Sequence, residues 1–236
     1  MQLKLNVLFI KLGLGLLMVF FNFLVMAQPT GLLYDPEPPA DSAYVRVILA
    51  TPVGGAVDVL VDGRVRVQKL ASGQASEYLV LTAGKRTVAL HAAGKPAAHF
   101  STTFDVVRGK AITLAFTTLS ADSVPVVFED KANANKLKAL LAVYNLDAKA
   151  GELDVLTADA NTKVLTGIAY GKSAFIPVNP ISTDLIAVKI GDKVPLSRIS
   201  MAMTQGSTYS IFLLPDKNAK LNAHTVQNKI ERYTGK

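Results

Sequence analysis

The sequence predicts an all-β protein made of two tandem antiparallel β-sandwich (Ig-like) domains that are related by internal duplication. Apolar and polar residues alternate with period two in short segments along most of the chain, which is the pattern of half-buried strands. Turn dipeptides such as Asp62-Gly63 separate these segments. One order of landmarks also occurs twice, since Asp58-Val59-Leu60 is followed 96 residues later by Asp154-Val155-Leu156. A unit of this length is a domain, because solenoid repeats span about 20–50 residues.

The first copy contains seven predicted strands in close succession. In one of them Val57, Val59 and Val61 share a face, and Asp58 lies on the other. Because no helical pattern separates the strands, their spacing favours antiparallel pairing in a sandwich. The predicted strands are residues 44–49, 56–61, 64–67, 77–81, 85–91, 100–107 and 111–117.

The second copy repeats this pattern in residues 140–145, 151–156, 163–169, 173–177, 185–190, 194–201 and 208–214. We therefore predict a first sandwich domain at 40–119 and a second at 139–215. The polar, charged stretch 120–138 is predicted to be a linker with a short edge strand at residues 124–128. The polar, basic tail 216–236 is expected to form either a short helix around residues 226–233 or a disordered segment.

The N-terminus has the features of a secretory signal peptide. Residues 1–27 combine Lys4 and Lys11 with an apolar stretch and end in a small-x-small pattern, which predicts cleavage after Ala27. An uncleaved anchor is the alternative, although the apolar stretch is short for a span of about 20 residues. The chain has no cysteine, so no disulfide supports the fold.

The formal net charge of +7 falls to +5 when Lys4 and Lys11 are removed with the signal. This excess is compatible with an acidic polysaccharide or an acidic protein partner, and also with ordinary solubility. Nucleic acid is not expected as a partner of an exported chain that has no run of five basic residues.

No catalytic, cofactor-binding or metal-binding residues are predicted. The histidines His91, His99 and His224 lie in different contexts, and no Gly-x-Ser-x-Gly elbow or late Asp-x-x-His string occurs. A metal site would lack a plausibly spaced third ligand. The repeated Asp58 and Asp154 resemble a carboxylate pair for glycoside cleavage, but we interpret them as solvated or turn-bonding residues of two separate domains.

A basic patch on the first domain is the predicted binding surface. Arginine binds carboxylates through two parallel hydrogen bonds, which suits uronate polymers or an acidic partner face. A solvated, charged strand face is the alternative interpretation. The residues of the predicted patch are Arg64, Arg66, Lys69, Lys85 and Arg86.

Several strings give the chain a family resemblance. They are Leu33-Tyr34-Asp35-Pro36 after the signal, residues 73–78, Phe128-Glu129-Asp130, Val178-Asn179-Pro180 and Tyr209-Ser210-Ile211-Phe212. Together they resemble the alginate O-acetylation protein F family of Gram-negative bacteria, over most of the mature chain. The polar tail departs from the family pattern, which leaves alginate or another acetylated exopolysaccharide as the polymer.

The resemblance implies a periplasmic, non-catalytic adaptor that is needed for O-acetylation of the polymer during its biosynthesis. Its implied partners are a membrane O-acyltransferase and periplasmic acetyltransferases, and no cofactor is implied. A generic secreted carbohydrate-binding or surface-adhesion sandwich is the alternative function. A stand-alone hydrolase or acyltransferase is the third function class.

Overall fold

Sixteen β-strands make up the regular structure of the computed structural model, which describes residues 37–52, 54–96, 98–120 and 122–234. No helix occurs among these residues, so the predicted all-β class is confirmed. The first half contains β1 Ser42–Leu49, β2 Val57–Val61, β3 Arg64–Leu70, β4 Leu79–Thr82, β5 Gly84–Ala92, β6 Ala98–Val106, β7 Ala111–Phe116 and β8 Val126–Asp130. The second half contains β9 Ala139–Asn145, β10 Leu153–Thr157, β11 Lys163–Ile168, β12 Ser173–Val178, β13 Ser182–Lys189, β14 Ser197–Ala202, β15 Thr208–Pro215 and β16 Leu221–Gln227.

The two halves have the same topology. Two four-stranded sheets form the first half, in the orders β4-β1-β7-β8 and β3-β2-β5-β6. The second half repeats them as β12-β9-β15-β16 and β11-β10-β13-β14. Each strand of the second half thus takes the place of the strand eight positions earlier, and the predicted duplication is confirmed at the level of strand order.

One strand pair in each half is parallel. β1 pairs with β7, and β9 pairs with β15, in parallel register, whereas the other strand pairs of the four sheets are antiparallel. Parallel neighbours need a long crossover connection, and here strands of both sheets supply it. The alternation of apolar and polar residues predicts where the strands lie. It does not show whether neighbouring strands run parallel or antiparallel.

Three apolar layers hold the fold together. Val45, Val47 and Leu49 of β1 point into the core of the first sandwich. The opposite face of β1 contributes Ile48 to a layer that also contains Phe212 and Tyr144 of the second half. The third layer is the core of the second sandwich. Because β1 and β9 are covered on both faces, nearly every residue of these strands is buried.

The chain from Pro38 to Tyr233 forms one compact unit. The domain limits 40–119 and 139–215 stay a prediction. β8 lies inside the predicted linker, where it begins and ends two residues later than the predicted edge strand at 124–128. Within the described part of the chain, no helix has the length and apolar character needed to cross a membrane. The predicted signal peptide, 1–27, lies outside the described residues.

The C-terminal tail is a strand over much of its length, so the expected short helix or disordered segment is wrong there. β16 pairs with β15 along seven residues, as β8 pairs with β7 in the first half. Leu221 and Ala223 pack against the second core, and Val226 packs against the layer between the halves. These contacts give the tail a buried face. The sequence does not predict this face, because the tail contains few apolar residues.

Candidate functional site

The predicted basic patch lies on the sheet β3-β2-β5-β6, where its members have different surroundings. Arg66 forms an ion pair with Glu231, and Arg86 lies 3.0 Å from Asp62. Arg64 and Lys85 are exposed to solvent. The backbone of Lys69 has a φ of 53°, in the left-handed region. Two arginines of the patch therefore already bind carboxylates of the same chain, and a ligand-binding role for the five residues stays a prediction.

Asp154 stabilises an irregular part of the second half. Its carboxylate accepts hydrogen bonds from the backbone N–H groups of Gly167, at 2.9 Å, and Gly191, at 3.3 Å. The Nζ atom of Lys163 lies 3.3 Å from the same carboxylate. Burial alone would raise the pKa of Asp154, but these three donors hold that pKa below its ordinary value. The side chain therefore fastens the β10–β11 bulge to the turn that follows β13.

Asp58 makes the equivalent contacts in the first half. The backbone N–H groups of Gly94 and Lys69 donate to its carboxylate at 2.9 and 2.8 Å and lower its pKa. The interpretation of the repeated aspartates as turn-bonding residues is therefore confirmed. Each aspartate accepts hydrogen bonds within its own half, beside a bulge between two paired strands.

The three histidines lie apart from one another along the sheets. His91 pairs with Asp58 across β5 and β2, and His224 lies on β16 beside Gly73. His99 lines a separate cleft at the end of the first sandwich. Among the described residues, no group of three or more histidine, cysteine, aspartate or glutamate side chains forms a potential metal site.

The most unusual side chain is Arg46, which is 1% exposed and lies between the two halves. Its Nε donates to Thr113 Oγ1 at 2.8 Å, and one terminal nitrogen donates to Asn228 Oδ1 at 2.8 Å. The other terminal nitrogen donates to Ser210 Oγ at 2.9 Å and to Tyr144 OH at 3.1 Å. The guanidinium thus uses hydrogen-bond acceptors from both halves of the protein.

Aromatic rings enclose the same guanidinium. Its carbon lies 4.6 Å from the ring centre of Tyr78, 5.0 Å from that of Phe212 and 5.5 Å from that of Tyr144. Contacts of this kind are attractive because the ring faces are electron-rich, and the attraction grows where water is excluded. Hydroxyls and rings together therefore replace the hydration that Arg46 loses on folding.

Asp130 balances the charge of Arg46 through shared hydroxyl groups. Thr113 and Tyr144 each accept a hydrogen bond from Arg46, and each donates one to Asp130 at 2.6 Å. Tyr78 OH donates a third at 2.8 Å. Burial raises the pKa of Tyr78 and Tyr144 far above the ordinary tyrosine value, so both phenols keep the protons that they donate.

No sequence pattern singled out this network as a site. Arg46 occupies the polar place in an alternating strand, which resembles a solvated position. The second copy has Ala142 at the equivalent place, between Leu141 and Val143. The sequence does contain one signal for this network, because Arg46 is charged at a position where the second copy is apolar.

The segment 228–231, called here the C-terminal strap, crosses from the second half to the first. The N–H of Tyr78 donates to the carbonyl of Lys229 at 2.8 Å, and the N–H of Glu231 donates to the carbonyl of Tyr78 at 2.9 Å. Glu231 Oε1 also accepts a hydrogen bond from the N–H of Val80 at 2.7 Å. The strap therefore covers one side of the Arg46 network.

A cleft of about 540 Å³ lies between the halves beside the strap and is called here the interhalf cleft. Its lining contains three lysines, Lys131, Lys136 and Lys229, and one carboxylate, Asp130. Among the ion pairs of the described residues, none involves these lysines. The remaining lining residues are Tyr44, Tyr78, Gly109, Ala111, Ala132, Gly206, Ser207, Thr208, Asn228 and Ile230.

The fold and these features define a protein class of two similar β-sandwich halves joined through a buried polar network. A family model described as a domain of unknown function (DUF4397) matches residues 43–156, which include nearly all of the first half and the start of the second.

The chain is a distant homologue of proteins named alginate biosynthesis protein AlgF, and the resemblance noted in the sequence is confirmed. It is 26% identical to AlgF of Pseudomonas putida KT2440 over 187 residues, which cover 79% of this chain and 80% of the relative. It is 27% identical to AlgF of Azotobacter vinelandii over 194 residues, with coverage of 79% and 81%. A solved C-terminal domain of AlgF from P. aeruginosa matches 39% of this chain and 100% of that domain, with 23% identity and a TM-score of 0.34.

Proposed function

We propose that this protein is a periplasmic, non-catalytic adaptor in the O-acetylation of an exopolysaccharide, either alginate or a similar polymer, during its biosynthesis. In this role it binds a membrane O-acyltransferase and periplasmic acetyltransferases of the polymer machinery. The observation that carries the proposal is the homology, over about four fifths of both chains, to proteins named for alginate biosynthesis. The acetylation step and the partners are our extension of that name.

The architecture supports a bridging role. Residues of both halves bury Arg46, so the halves are held in one arrangement. The outer sheets of the two halves nevertheless differ. Leu156, Ile186 and Val188 form a buried apolar cluster in the second half, at positions where the first half has the partly exposed Leu60, Ala89 and His91. Two related but unlike sheets on a fixed frame suit a protein that holds two different partners.

The proposed location follows from the predicted signal peptide together with the homology. Cleavage after Ala27 would release a periplasmic chain that begins at Gln28. N-terminal sequencing of the protein recovered from the periplasm tests this step. Recovery of a chain that keeps residues 1–27 in the inner membrane would support an anchored adaptor instead.

A secreted carbohydrate-binding or surface-adhesion protein is the second candidate, because the interhalf cleft contains three lysines. The two candidates differ in what they bind without help. An adaptor forms a complex with the acetyltransferase in the absence of polymer, whereas a carbohydrate-binding or adhesion protein does not.

The decisive experiment is sequential binding with purified components. The acetyltransferase and then the detergent-solubilised O-acyltransferase are titrated into the protein, and the mass of the complex is measured by light scattering. We expect a ternary complex that contains all three proteins. Competition between the two partners, or failure of either to bind, contradicts the adaptor role.

A parallel assay addresses catalysis by the protein alone. We expect hydrolysis of an activated acetyl ester at the buffer rate. Rapid turnover that survives replacement of His91, His99 and His224 would require an enzymatic function with a different mechanism.

A further inference from the structure

Exposed lysines are concentrated at one end of the second half. The odd-numbered strands of this half end there, and the even-numbered strands begin there. The connections between these strands contact one another, since the N–H of Ile190 donates to the carbonyl of Glu152 at 3.1 Å. This surface, called here the lysine-rich end, consists of residues 146–152, 169–172, 189–196 and 216–220. Its lysines are all exposed, and they are Lys149, Lys172, Lys189, Lys193, Lys217 and Lys220.

Positive charge exceeds negative charge at the lysine-rich end. Its six lysines and four carboxylates (Asp147, Glu152, Asp192 and Asp216) give a net charge of +2. Backbone hydrogen bonds, with a smaller contribution from Lys189 and Lys220, lower the pKa of Asp192 and Asp216. Among the ion pairs of the described residues, none includes a lysine of this end. An anionic surface would therefore meet several ammonium groups that are not held in ion pairs.

The same end exposes large apolar side chains. Val194 is 65% exposed, Ile190 52% and Leu196 38%, all within the connection between β13 and β14. Tyr170, in the neighbouring connection, is 41% exposed. Exposed apolar groups that lie together are typical of contacts with a protein or a membrane. Lysine and tyrosine are the residues that accompany them where a protein meets the lipid headgroups.

The first half shows that the fold does not require these side chains. Its connection between β5 and β6, residues 93–97, is Ala-Gly-Lys-Pro-Ala. The turn is nevertheless fastened in the same way, because Asp58 accepts a hydrogen bond from Gly94 as Asp154 does from Gly191. The four corresponding connections of the first half, residues 50–56, 71–78, 93–97 and 117–125, contain one lysine. The lysines and the exposed apolar residues are therefore a property of the second copy alone.

Backbone hydrogen bonds hold the connection between β13 and β14 in one conformation. The carboxylate of Asp192 accepts from the N–H groups of Lys193 at 2.6 Å and Val194 at 3.1 Å. The N–H of Leu196 donates to the carbonyl of Ala187 at 2.9 Å. A segment that is ordered before it binds loses less conformational freedom on binding. The apolar side chains are thus presented to a partner on a preformed turn.

We propose that the lysine-rich end docks the protein onto an anionic phospholipid surface. Ile190, Val194 and Leu196 enter the interfacial layer, and the lysines contact the headgroup phosphates. Lysines near an anionic leaflet are attracted to it, and apolar side chains that leave water add to this attraction.

A lipid surface suits this end better than a folded protein partner does. Lysines directly precede two of the apolar residues, in Lys189-Ile190 and Lys193-Val194. A protein interface that buried the apolar side chains would also desolvate these ammonium groups, and lysine is depleted in such interfaces. At a bilayer, the ammonium groups stay hydrated among the headgroups while the apolar side chains enter.

Flotation of the secreted protein with lipid vesicles tests the docking. We expect binding to phosphatidylcholine vesicles that contain phosphatidylglycerol, and little binding to phosphatidylcholine alone. Binding should weaken as salt is raised, because exposed charges are screened. The double change Ile190→Ser and Val194→Ser should lower the partition coefficient at least about tenfold. The double change Lys189→Gln and Lys193→Gln should lower it about tenfold.

Matched changes in the first half serve as controls. Val107→Ser with Val127→Ser removes two valines that are 59% and 55% exposed. Lys85→Gln with Lys95→Gln removes two exposed lysines. Each control should change the partition coefficient less than about twofold, because surface attraction falls off within a Debye length.

A tryptophan probe shows which residue enters the lipid, since the chain has no tryptophan of its own. In Val194→Trp, the fluorescence emission should move to shorter wavelength when phosphatidylglycerol vesicles are added, and brominated lipid should quench it. In Val107→Trp, neither change should occur.

The proposal is wrong if the protein does not bind the anionic vesicles, or if the first-half controls weaken binding as much as the changes at the lysine-rich end. It is also wrong if the probe at position 194 stays in water. A probe that responds to the purified acetyltransferase but not to vesicles would assign this surface to a protein partner instead. The flotation assay contains no partner protein, so its failure leaves the proposed adaptor role standing.

Discussion

Replacement of Arg46 by methionine should destabilise the protein strongly. Methionine fills a similar volume but leaves Thr113, Ser210 and Asn228 without the donor that Arg46 supplies. It also leaves the Asp130 carboxylate without its compensating charge. Removal of one partner from a buried pair costs about 3–5 kcal/mol. Since Asp130 is only partly buried and keeps three hydroxyl donors, we expect a loss near the lower limit, about 3 kcal/mol.

Far-UV circular dichroism during urea and thermal unfolding is the suitable assay, because the chain has no tryptophan. For a protein of this size, a loss of 3 kcal/mol corresponds to a decrease in Tm of about 6–12 °C. Arg66→Met is the matched control, since it removes a partly exposed arginine that pairs with Glu231. That change should cost less than about 1 kcal/mol.

A double-mutant cycle shows whether the network carries the effect. In the variant that combines Arg46→Met with Asp130→Asn, no uncompensated charge remains. We therefore expect the double variant to lose at least about 1 kcal/mol less than the sum of the single variants. The reasoning is refuted if Arg46→Met is as mild as Arg66→Met, or if the two single effects are additive.

Further predictions concern individual positions. Lys69→Gly should stabilise the protein by about 0.5–1 kcal/mol in urea unfolding, because glycine adopts the φ of 53° without the cost that a side chain imposes; a loss of stability would contradict this. Gly73→Ala should cost at least about 1 kcal/mol more than Gly63→Ala, measured by the same method, because only the Cβ at position 73 would lie 2.6 Å from the ring of His224; equal effects would argue against that contact. Asp154→Ala should cost about 2–3 kcal/mol at neutral pH. The folded state lowers the pKa of this carboxyl, so its contribution to the free energy of unfolding is present above about pH 4 and is lost as the pH falls through the folded pKa. The stability of the variant should therefore depend less on acid pH than that of the parent. Identical pH profiles of stability would contradict the assignment.

The strands could be predicted because each has one face in a core. β2 shows this directly, since Val57, Val59 and Val61 are buried and Asp58 and Leu60 are less so. The parallel pairing of β1 with β7 could not be predicted. A strand that is buried on both faces is apolar throughout, and this pattern does not show whether its neighbour runs parallel or antiparallel. β16 was missed because Leu221, Ala223 and Val226 are separated by polar residues in an edge strand that is only half covered.

The site was less predictable than the fold because its residues are far apart in the chain. Arg46 lies 67 residues from Thr113 and 182 from Asn228, so no local pattern joins them. The predicted patch illustrates the same limit. Arg64 and Arg66 are adjacent in the alternation, but the partner of Arg66 is Glu231 in the C-terminal strap, which the sequence presents as a tail.

The most direct test of the proposed function is the acetyl-to-uronate ratio of the exopolysaccharide, measured by proton NMR. The ratio is compared in the parent strain, a strain that lacks the gene for this protein, and the same strain complemented with the wild-type gene. We predict that the deletion strain still exports polymer, that its acetyl ratio falls close to zero, and that complementation restores the ratio. Unchanged acetylation in the deletion strain, or loss of the polymer itself, would contradict a role in O-acetylation.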